Sequence, residues 1–364
     1  MQNNLSAQEQ SILSTITFFD IFNYPLTLFE MWKWQYKNFQ FPISNFQSNS
    51  KSQISNSKIS EIQKILENNE NLRKVIESKN GFYFLQGREE LVARRRDLYR
   101  NAEERWKKLQ RVANILQYVP NVKMIAACNT LPINDFKPES DIDAFIIVKK
   151  NRIWQTRFFV TALVGLLGQW RHKKNIAKKI CLSFYVTDDA LNLEPIAKKP
   201  YDIYLAYWIA LVAPLYVSGC HSEGTEGERK ISLTAGGFFA SAQDDVYRKF
   251  LHANSWVKNY LPNFIGFEPV EFERKVGKSR FFDSIKEIKE KISDSKIGDW
   301  FEKFFKKIQK NKMGKNYQSA YRRGGSNVII SDQILKFHEI DRRDEFRKIF
   351  ELKLAKILNI PTCG

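Results

Sequence analysis

Apolar positions in the first ninety residues follow helical spacing and then strand spacing. Residues 7–37 predict two helices separated by a turn at Asn23-Tyr24-Pro25, and a short third helix carries Ile62 and Leu66 on one face. The Lys79-Asn80-Gly81 segment between two apolar runs predicts a β-hairpin. Three helices followed by a hairpin is the element order of a winged helix-turn-helix.

Two further segments complete this first part of the chain. Residues 38–58 are a Ser/Asn/Gln/Lys tract with little to bury, which predicts a disordered insertion. From about 88 to 118 one apolar stripe predicts a long charged helix. Its Arg94-Arg95-Arg96 run is suited to contact phosphates or to form a solvated helix face.

The middle of the chain alternates strands and helices. Val122–Ala127, Ile142–Val148 and about Ile180–Val186 predict three strands, with a helix from Asn151 to about residue 171 between the second and the third. Residues 201–216 predict a buried helix rich in Tyr and Trp. This order predicts a small mixed sheet in an α/β (α+β) core.

Beyond this core the pattern is helical and basic. Residues 218–245 contain five glycines and no period, which predicts a loop or insertion, and helical periodicity returns over 246–260, 281–311 and 332–358. We therefore predict five regions: a winged-helix-like domain at 1–87, a connecting helix at 88–119, the core at 120–217, the loop at 218–245 and a helical C-terminal region at 246–364.

Composition and charge bear on partners and location. The net charge of +18 favours polyanions such as nucleic acid, although a merely solvated basic surface is an equal alternative because Lys and Arg are spread along the chain. The apolar stretches Phe158–Leu167 and Leu205–Val217 are too short to span a bilayer, and the first residues do not resemble a secretory signal. Four widely spaced cysteines predict neither a zinc site nor disulfides, so we expect a cytoplasmic protein.

Asp141 and Asp143 are the candidate chemical site. Side chains at positions i and i+2 of a strand point to the same face, so the two carboxylates should project together, with Ile142 opposite. Their mutual repulsion calls for a cation, and a hard divalent ion such as Mg2+ takes oxygen ligands. A solvated acidic loop before a strand is the alternative.

The segment from Met124 to Lys150 resembles the nucleotidyltransferase superfamily that includes DNA polymerase beta and the minimal nucleotidyltransferases. In that superfamily a Gly-Ser pair follows a first strand, and Asp-x-Asp follows on the next strand after a loop of about ten residues. Here Asn129-Thr130 stands at the Gly-Ser place, and ten residues, 131–140, precede Asp141. The resemblance implies that Asp141 and Asp143 bind one or two Mg2+ ions and are catalytic. It also implies that Asn129, Thr130 and Ser140 contact the phosphates of an NTP.

Two departures from the family pattern matter. Asn tolerates the left-handed conformation that glycine would supply at position 129, and Thr130 retains a hydroxyl. The third strand offers Cys181, Ser183 and Tyr185 on one face but no acid, and Asp188 and Asp189 follow only after its end. Either a nearby residue substitutes for the third carboxylate, or the enzyme works without a dedicated base, or the site is inactive.

The sequence therefore leads to two hypotheses. The first is a Mg2+-dependent nucleotidyltransferase that moves NMP from an NTP to a hydroxyl of a nucleic acid, a protein or a small molecule. The second is a nucleic-acid-binding winged-helix protein with a vestigial nucleotidyltransferase core.

Overall fold

The computed structural model describes residues 5–37, 58–171, 176–218, 246–264, 276–277, 279–316, 328–338 and 341–358. Residues 38–57 of the predicted insertion and residues 219–245 of the predicted loop lie outside this part of the chain. The described residues form an α/β protein with eleven helices and two sheets.

The helices are α1 (Ala7–Asp20), α2 (Leu28–Lys33), α3 (Ile59–Asn68), α4 (Glu70–Arg73), α5 (Glu90–Leu116), α6 (Ile153–Leu166), α7 (Ile203–Ala210), α8 (Val246–Ala253), α9 (Arg280–Ser293), α10 (Lys296–Asn316) and α11 (Arg343–Leu358). The strands are β1 (Leu26–Thr27), β2 (Ile76–Lys79), β3 (Phe82–Leu85), β4 (Val122–Ala127), β5 (Ile142–Val148), β6 (Ile180–Thr187), β7 (Ala213–Val217), β8 (Val328–Ile330) and β9 (Ile334–Phe337).

The small N-terminal sheet has the order β1-β3-β2, with both pairings antiparallel. Asn80 and Gly81 both have positive φ, 54° and 80°, as the tight turn of the predicted β2–β3 hairpin requires. These elements share a core with the rest of the chain, because Phe18 of α1 stacks on Tyr207 of α7 with ring centroids 4.3 Å apart.

The large sheet has six strands in the order β7-β4-β5-β6-β9-β8. β5 and β6 are parallel, and α6 supplies the crossover that a parallel pair needs, while the other pairings are antiparallel. The predicted strands at 122–127, 142–148 and about 180–186 are confirmed as β4, β5 and β6.

Two strands differ from the sequence prediction. Residues 213–217 belong to β7 rather than to a helix reaching residue 216, and α7 ends at Ala210. Residues 334–337, within a stretch predicted as helical, pair with β6 as β9. Short buried apolar runs fit helix and strand equally well, so periodicity alone could not separate them. Pro214 is tolerated because β7 is the edge strand of the sheet.

The two faces of the large sheet bury two separate apolar clusters. One face carries Phe145 and Phe184, against which α1, α7, α8 and α11 pack. The other face carries Ile142 and Ile146, against which α5, α6 and α10 pack. In the described residues, no helix combines the length and apolar character needed to cross a membrane.

Candidate functional site

Asp141 and Asp143 lie at the start of β5. Their side chains leave the sheet on the face of Phe145, opposite Ile142, which belongs to the other apolar cluster. One carboxylate oxygen from each aspartate and the sulfur of Cys181 all lie within 4.8 Å of one another. The two carboxylates therefore converge on one point.

Cys181 completes this group from the neighbouring strand. In the parallel register of β5 and β6 it lies directly across from Asp143. Its sulfur lies within 4.8 Å of an Asp143 carboxylate oxygen. Burial raises the pKa of the Cys181 thiol, and the neighbouring Ser183 hydroxyl lowers it in part. The Ser183 hydroxyl in turn lies 3.3 Å from Nε2 of His338, just beyond β9. A polar chain thus runs from Asp143 to His338.

The pKa shifts in this cluster indicate that the negative charge of the two aspartates is not fully balanced. Burial, and then the negative charge of Asp141, raise the pKa of Asp143 from 3.8 to about 6. Burial, and then the charge of Asp143, also raise the pKa of Cys181 well above its usual range, so the sulfur is held as a thiol. Burial and the nearby Lys336 lower the pKa of His338 to about 4, which keeps its imidazole neutral at pH 7.

Arg171 supplies part of that charge. Its Nη1 lies 2.9 Å from Oδ2 of Asp141 and 3.4 Å from the Cys181 sulfur. The arginine side chain is 46% exposed, whereas the aspartate side chain is 17% exposed. The guanidinium therefore reaches the carboxylates from the solvent side, where it has room to move away.

Asn129 forms the turn after β4. Its φ of 58° is the left-handed conformation, which Asn tolerates in place of glycine. Its amide hydrogen-bonds Asp143, and its Oδ1 accepts a 2.7 Å hydrogen bond from Nε1 of Trp208. Thr130 follows and is exposed. Asn129 and Thr130 line a mostly aromatic hollow of about 40 Å³, far smaller than a nucleotide needs.

The loop from 131 to 140 is held by a buried arginine of α5. Arg105 is 2% exposed and donates hydrogen bonds to the carbonyls of Lys137, Pro138 and Ser140 at 2.8–2.9 Å. Ser140 precedes the first aspartate, and its hydroxyl donates to the Lys137 carbonyl. Arg105 therefore fixes the approach of the chain to Asp141.

Asp188 and Asp189 lie at the other end of the sheet. The backbone N–H of Asp188 donates a hydrogen bond to the carbonyl of Val148, the last residue of β5. The Asp188 carboxylate accepts a hydrogen bond from the backbone N–H of Lys150. Asp189 accepts from the Thr187 hydroxyl. Six residues of strand separate this end from Ile142, which is roughly 20 Å at about 3.3 Å per residue. These acids form a turn and do not join the cluster.

Two arginines of the Arg94-Arg95-Arg96 run, and two arginines that follow β5, have structural partners. Arg94 pairs with Asp135, and Arg95 pairs with Glu30, both at 2.6 Å. Arg152 pairs with Asp299 of α10, and Arg157 donates to Gln309 of the same helix. Arg152 and Arg157 therefore hold α10 against the sheet face opposite the aspartates.

The donor set fits a divalent cation. Asp141 and Asp143 offer oxygen ligands at one point, and Asp143 is a half-buried carboxylate whose ionised form an added positive charge would stabilise. Sequence patterns pointed to the two aspartates and to Asn129. They did not reveal Arg171 or His338 as neighbours of the cluster, because sheet pairing and chain crossover bring both in from distant positions.

Comparisons with protein-family models, with curated proteins and with solved structures found no match to this chain.

Proposed function

We propose that this chain is a divalent-metal-dependent nucleotidyltransferase that moves NMP from an NTP to a hydroxyl acceptor. The observation that carries the proposal is the convergence of Asp141 and Asp143, beside a left-handed turn at Asn129. The resemblance of 124–150 to the nucleotidyltransferase superfamily adds to it. The superfamily fold and the winged-helix identity of the N-terminal elements are parts of the same proposal.

Asp141 and Asp143 would hold Mg2+, or a similar divalent ion, whose positive charge neutralises the phosphate oxygens of the NTP. Thr130 follows Asn129 in the turn and is exposed, and its hydroxyl would donate to a phosphate oxygen. Asn129 and Trp208 fix the backbone of this turn. These roles are chiefly positioning and electrostatic stabilisation of the transferred group.

Arg171 has a role in both states of the site. Without substrate, its guanidinium partly neutralises Asp141. With metal on the aspartates, the same exposed side chain is free to form charge-assisted hydrogen bonds to the phosphates. Its departure from Asp141 would also enlarge the space in front of the carboxylates, as a triphosphate requires.

The place of a third carboxylate is taken by the polar chain of Cys181, Ser183 and His338. Among the residues that the structure describes, Nδ1 of His338 is buried without a hydrogen-bond partner, and the pKa of about 4 keeps the ring neutral at pH 7. Because the Ser183 hydroxyl lies between the Cys181 sulfur and a weakly basic ring nitrogen, these groups would orient the attacking hydroxyl, and its proton would pass to solvent. This arrangement would let the site operate without a third acid.

The test uses NTPs labelled separately at the α- and γ-phosphates, with Mg2+ or Mn2+ and a panel of hydroxyl acceptors. We expect the α-label to transfer and pyrophosphate to leave, with a loss on the order of 100-fold in Asp143→Asn. Asp188→Asn is the matched control, because it makes the same chemical change on the same sheet at the opposite end of β5. Transfer of the γ-label, or equal activity in the two variants, would refute the proposal.

The second candidate, a nucleic-acid-binding protein with an inactive core, is favoured by the Arg171–Asp141 ion pair and by the thiol at the third position. The exposed acidic side chains of α3 disfavour this second candidate, because they would repel the phosphates of a nucleic acid. By element order α3 is the helix that would enter a groove, and its exposed side chains include Glu61, Lys64 and Glu67. Steeply salt-dependent binding to DNA or RNA, together with no metal-dependent transfer, would support this second candidate.

A further inference from the structure

α10 exposes an apolar stripe to solvent. Ile297, Trp300, Phe301, Phe304 and Ile308 recur at helical spacing and are each 37–59% exposed. Another side of the helix, with Phe305 and Met313, is buried, and Phe305 stacks on Phe158 of α6 with ring centroids 4.2 Å apart. The described part of the chain therefore leaves a second, outward apolar face on this helix uncovered.

Neighbouring helices extend this face. Phe159 and Leu166 of α6 are 43% and 84% exposed beside α10. Between α5, α6, α9 and α10 lies a cavity of about 720 Å³, lined mostly by apolar side chains that include Phe159, Phe282 and Phe301. A cavity of this size and character suits an extended apolar molecule. So large an apolar surface on a protein exterior marks a binding surface.

The charge next to the stripe is positive. α10 carries seven lysines against two acidic residues, a net charge of +5. Both acids have partners within the chain: Asp299 pairs with Arg152 at 2.8 Å, and Glu302 accepts from the backbone N–H groups of Trp154 and Gln155. Lys303, Lys307 and Lys310 are exposed along one edge of the stripe.

We propose that α10 and the cavity beneath it bind the surface of an anionic lipid bilayer. Trp and Phe along one side of a helix and Lys along the adjoining side are the pattern of helices that lie in the plane of the membrane interface. The lysines pair with anionic headgroups, the aromatic stripe enters the headgroup–acyl boundary, and the cavity receives an acyl chain. This surface makes the chain a peripheral membrane protein, which goes beyond the proposed transferase activity.

The membrane surface and the candidate site lie on opposite faces of the large sheet. α10 packs on the face of Ile146, whereas Asp143 projects from the face of Phe145. Binding through α10 would therefore leave the aspartates open to solvent. The inference stands whether or not the chain transfers nucleotides.

The experiment is co-sedimentation of the full chain with vesicles of phosphatidylcholine alone and of phosphatidylcholine with one quarter phosphatidylglycerol. We expect binding to the anionic vesicles, weakening as salt rises. The double variant Trp300→Glu/Phe304→Glu should lose at least about 10-fold in partitioning, since apolar area is lost and the added charges are repelled. Tyr99→Glu/Leu352→Glu is the matched control, because these side chains are 62% and 57% exposed elsewhere and the charge change is equal.

Circular dichroism and the melting temperature establish that both double variants fold. Light scattering of the wild type and of Trp300→Glu/Phe304→Glu measures whether a second copy of this chain binds to the α10 stripe. Three results would overturn the proposal: no binding to anionic vesicles, equal loss in the two double variants, or a dimer that only the α10 variant abolishes. The last would make the face an interface between two copies of this chain.

Discussion

Cys181 lies directly opposite Asp143 in the parallel pairing of β5 and β6, and its sulfur is within 4.8 Å of a carboxylate oxygen of Asp143. The third ligand position of this cluster is therefore filled by a neutral group. The site carries two negative charges where three carboxylates would carry three, which reduces repulsion between the carboxylates and leaves Arg171 sufficient to balance Asp141.

We predict that Cys181→Asp strengthens divalent-metal binding. A third oxygen ligand beside Asp141 and Asp143 should lower the dissociation constant for Mn2+ by about 10-fold at pH 7.5. Without metal the same variant should be less stable, by about 2 kcal/mol, because a third negative charge is buried beside two others. Titration with Mn2+ followed by electron paramagnetic resonance measures the first effect, and urea unfolding measures the second. Cys181→Ser, which adds no charge, is the control, and weaker Mn2+ binding in Cys181→Asp than in Cys181→Ser would contradict the prediction.

Metal stabilisation should depend on pH through Asp143. Its pKa is raised from 3.8 to about 6 in the folded chain, so between these values the folded state binds more protons than the unfolded state. Stability should therefore fall as pH rises from about 4 to about 6, by up to about 3 kcal/mol at 1.36 kcal/mol per unit. A divalent ion binds the ionised form and offsets this loss.

The measurement is the melting temperature with and without MnCl2 at pH 5, 6 and 7.5. We expect the increase caused by metal to grow across this series in the wild type and in Asp188→Asn. Asp143→Asn should show no increase and should be the more stable protein without metal at pH 7.5. An increase that is the same at pH 5 and pH 7.5 would count against Asp143 as a ligand.

Local patterns predicted the local parts of this fold. Asn-Gly between apolar runs predicted the β2–β3 hairpin, and the apolar stripe over 88–118 predicted α5, which spans Glu90–Leu116. The turn at Asn129 was predicted from the tolerance of Asn for positive φ, and it has a φ of 58°. Each of these features depends on residues within a few positions of one another.

Features that depend on distant pairing were missed. β9 is a strand because β6 offers it an open edge, and no periodicity in four residues carries that information. His338 approaches Ser183 only through this pairing, 155 positions away in sequence. In the same way Arg171 reaches Asp141 only after the α6 crossover, so its sequence neighbours gave no reason to single it out.

The backbone at Asn129 should distinguish glycine from alanine. Asn129→Gly and Asn129→Ala both remove the amide bonds to Asp143 and Trp208. Only alanine keeps a Cβ at a φ of 58°, so we expect Asn129→Ala to be less stable than Asn129→Gly by about 1 kcal/mol. Urea unfolding of the pair gives the difference directly. Equal stability of the two variants would mean that the turn relaxes when the amide is lost.

Arg171 should weaken the binding of metal and strengthen the binding of nucleotide. In the unliganded chain its guanidinium lies 2.9 Å from Asp141 Oδ2, where it competes with a cation for the carboxylate. Arg171→Gln should therefore tighten Mn2+ binding in the absence of nucleotide by about 5-fold, equivalent to about 1 kcal/mol. The same variant should weaken binding of an NTP in the presence of metal by about 10-fold, because a charge-assisted contact to phosphate is lost. Calorimetric titrations of the two ligands measure both.

Lys178→Gln is the matched control for this last prediction. The backbone N–H of Lys178 donates to the Ser140 carbonyl at 2.9 Å, and its side chain pairs with Glu104 at 2.6 Å. Its substitution by Gln removes the same charge as Arg171→Gln does, from a side chain that pairs with Glu104 instead of Asp141. If Arg171 only braced the fold, both affinities would fall together in Arg171→Gln. If Arg171 attracted the NTP only through its positive charge and not through a direct contact, Lys178→Gln would weaken NTP binding as much as Arg171→Gln does. Opposite changes confined to Arg171→Gln are expected only when one side chain moves from carboxylate to phosphate as metal and nucleotide bind.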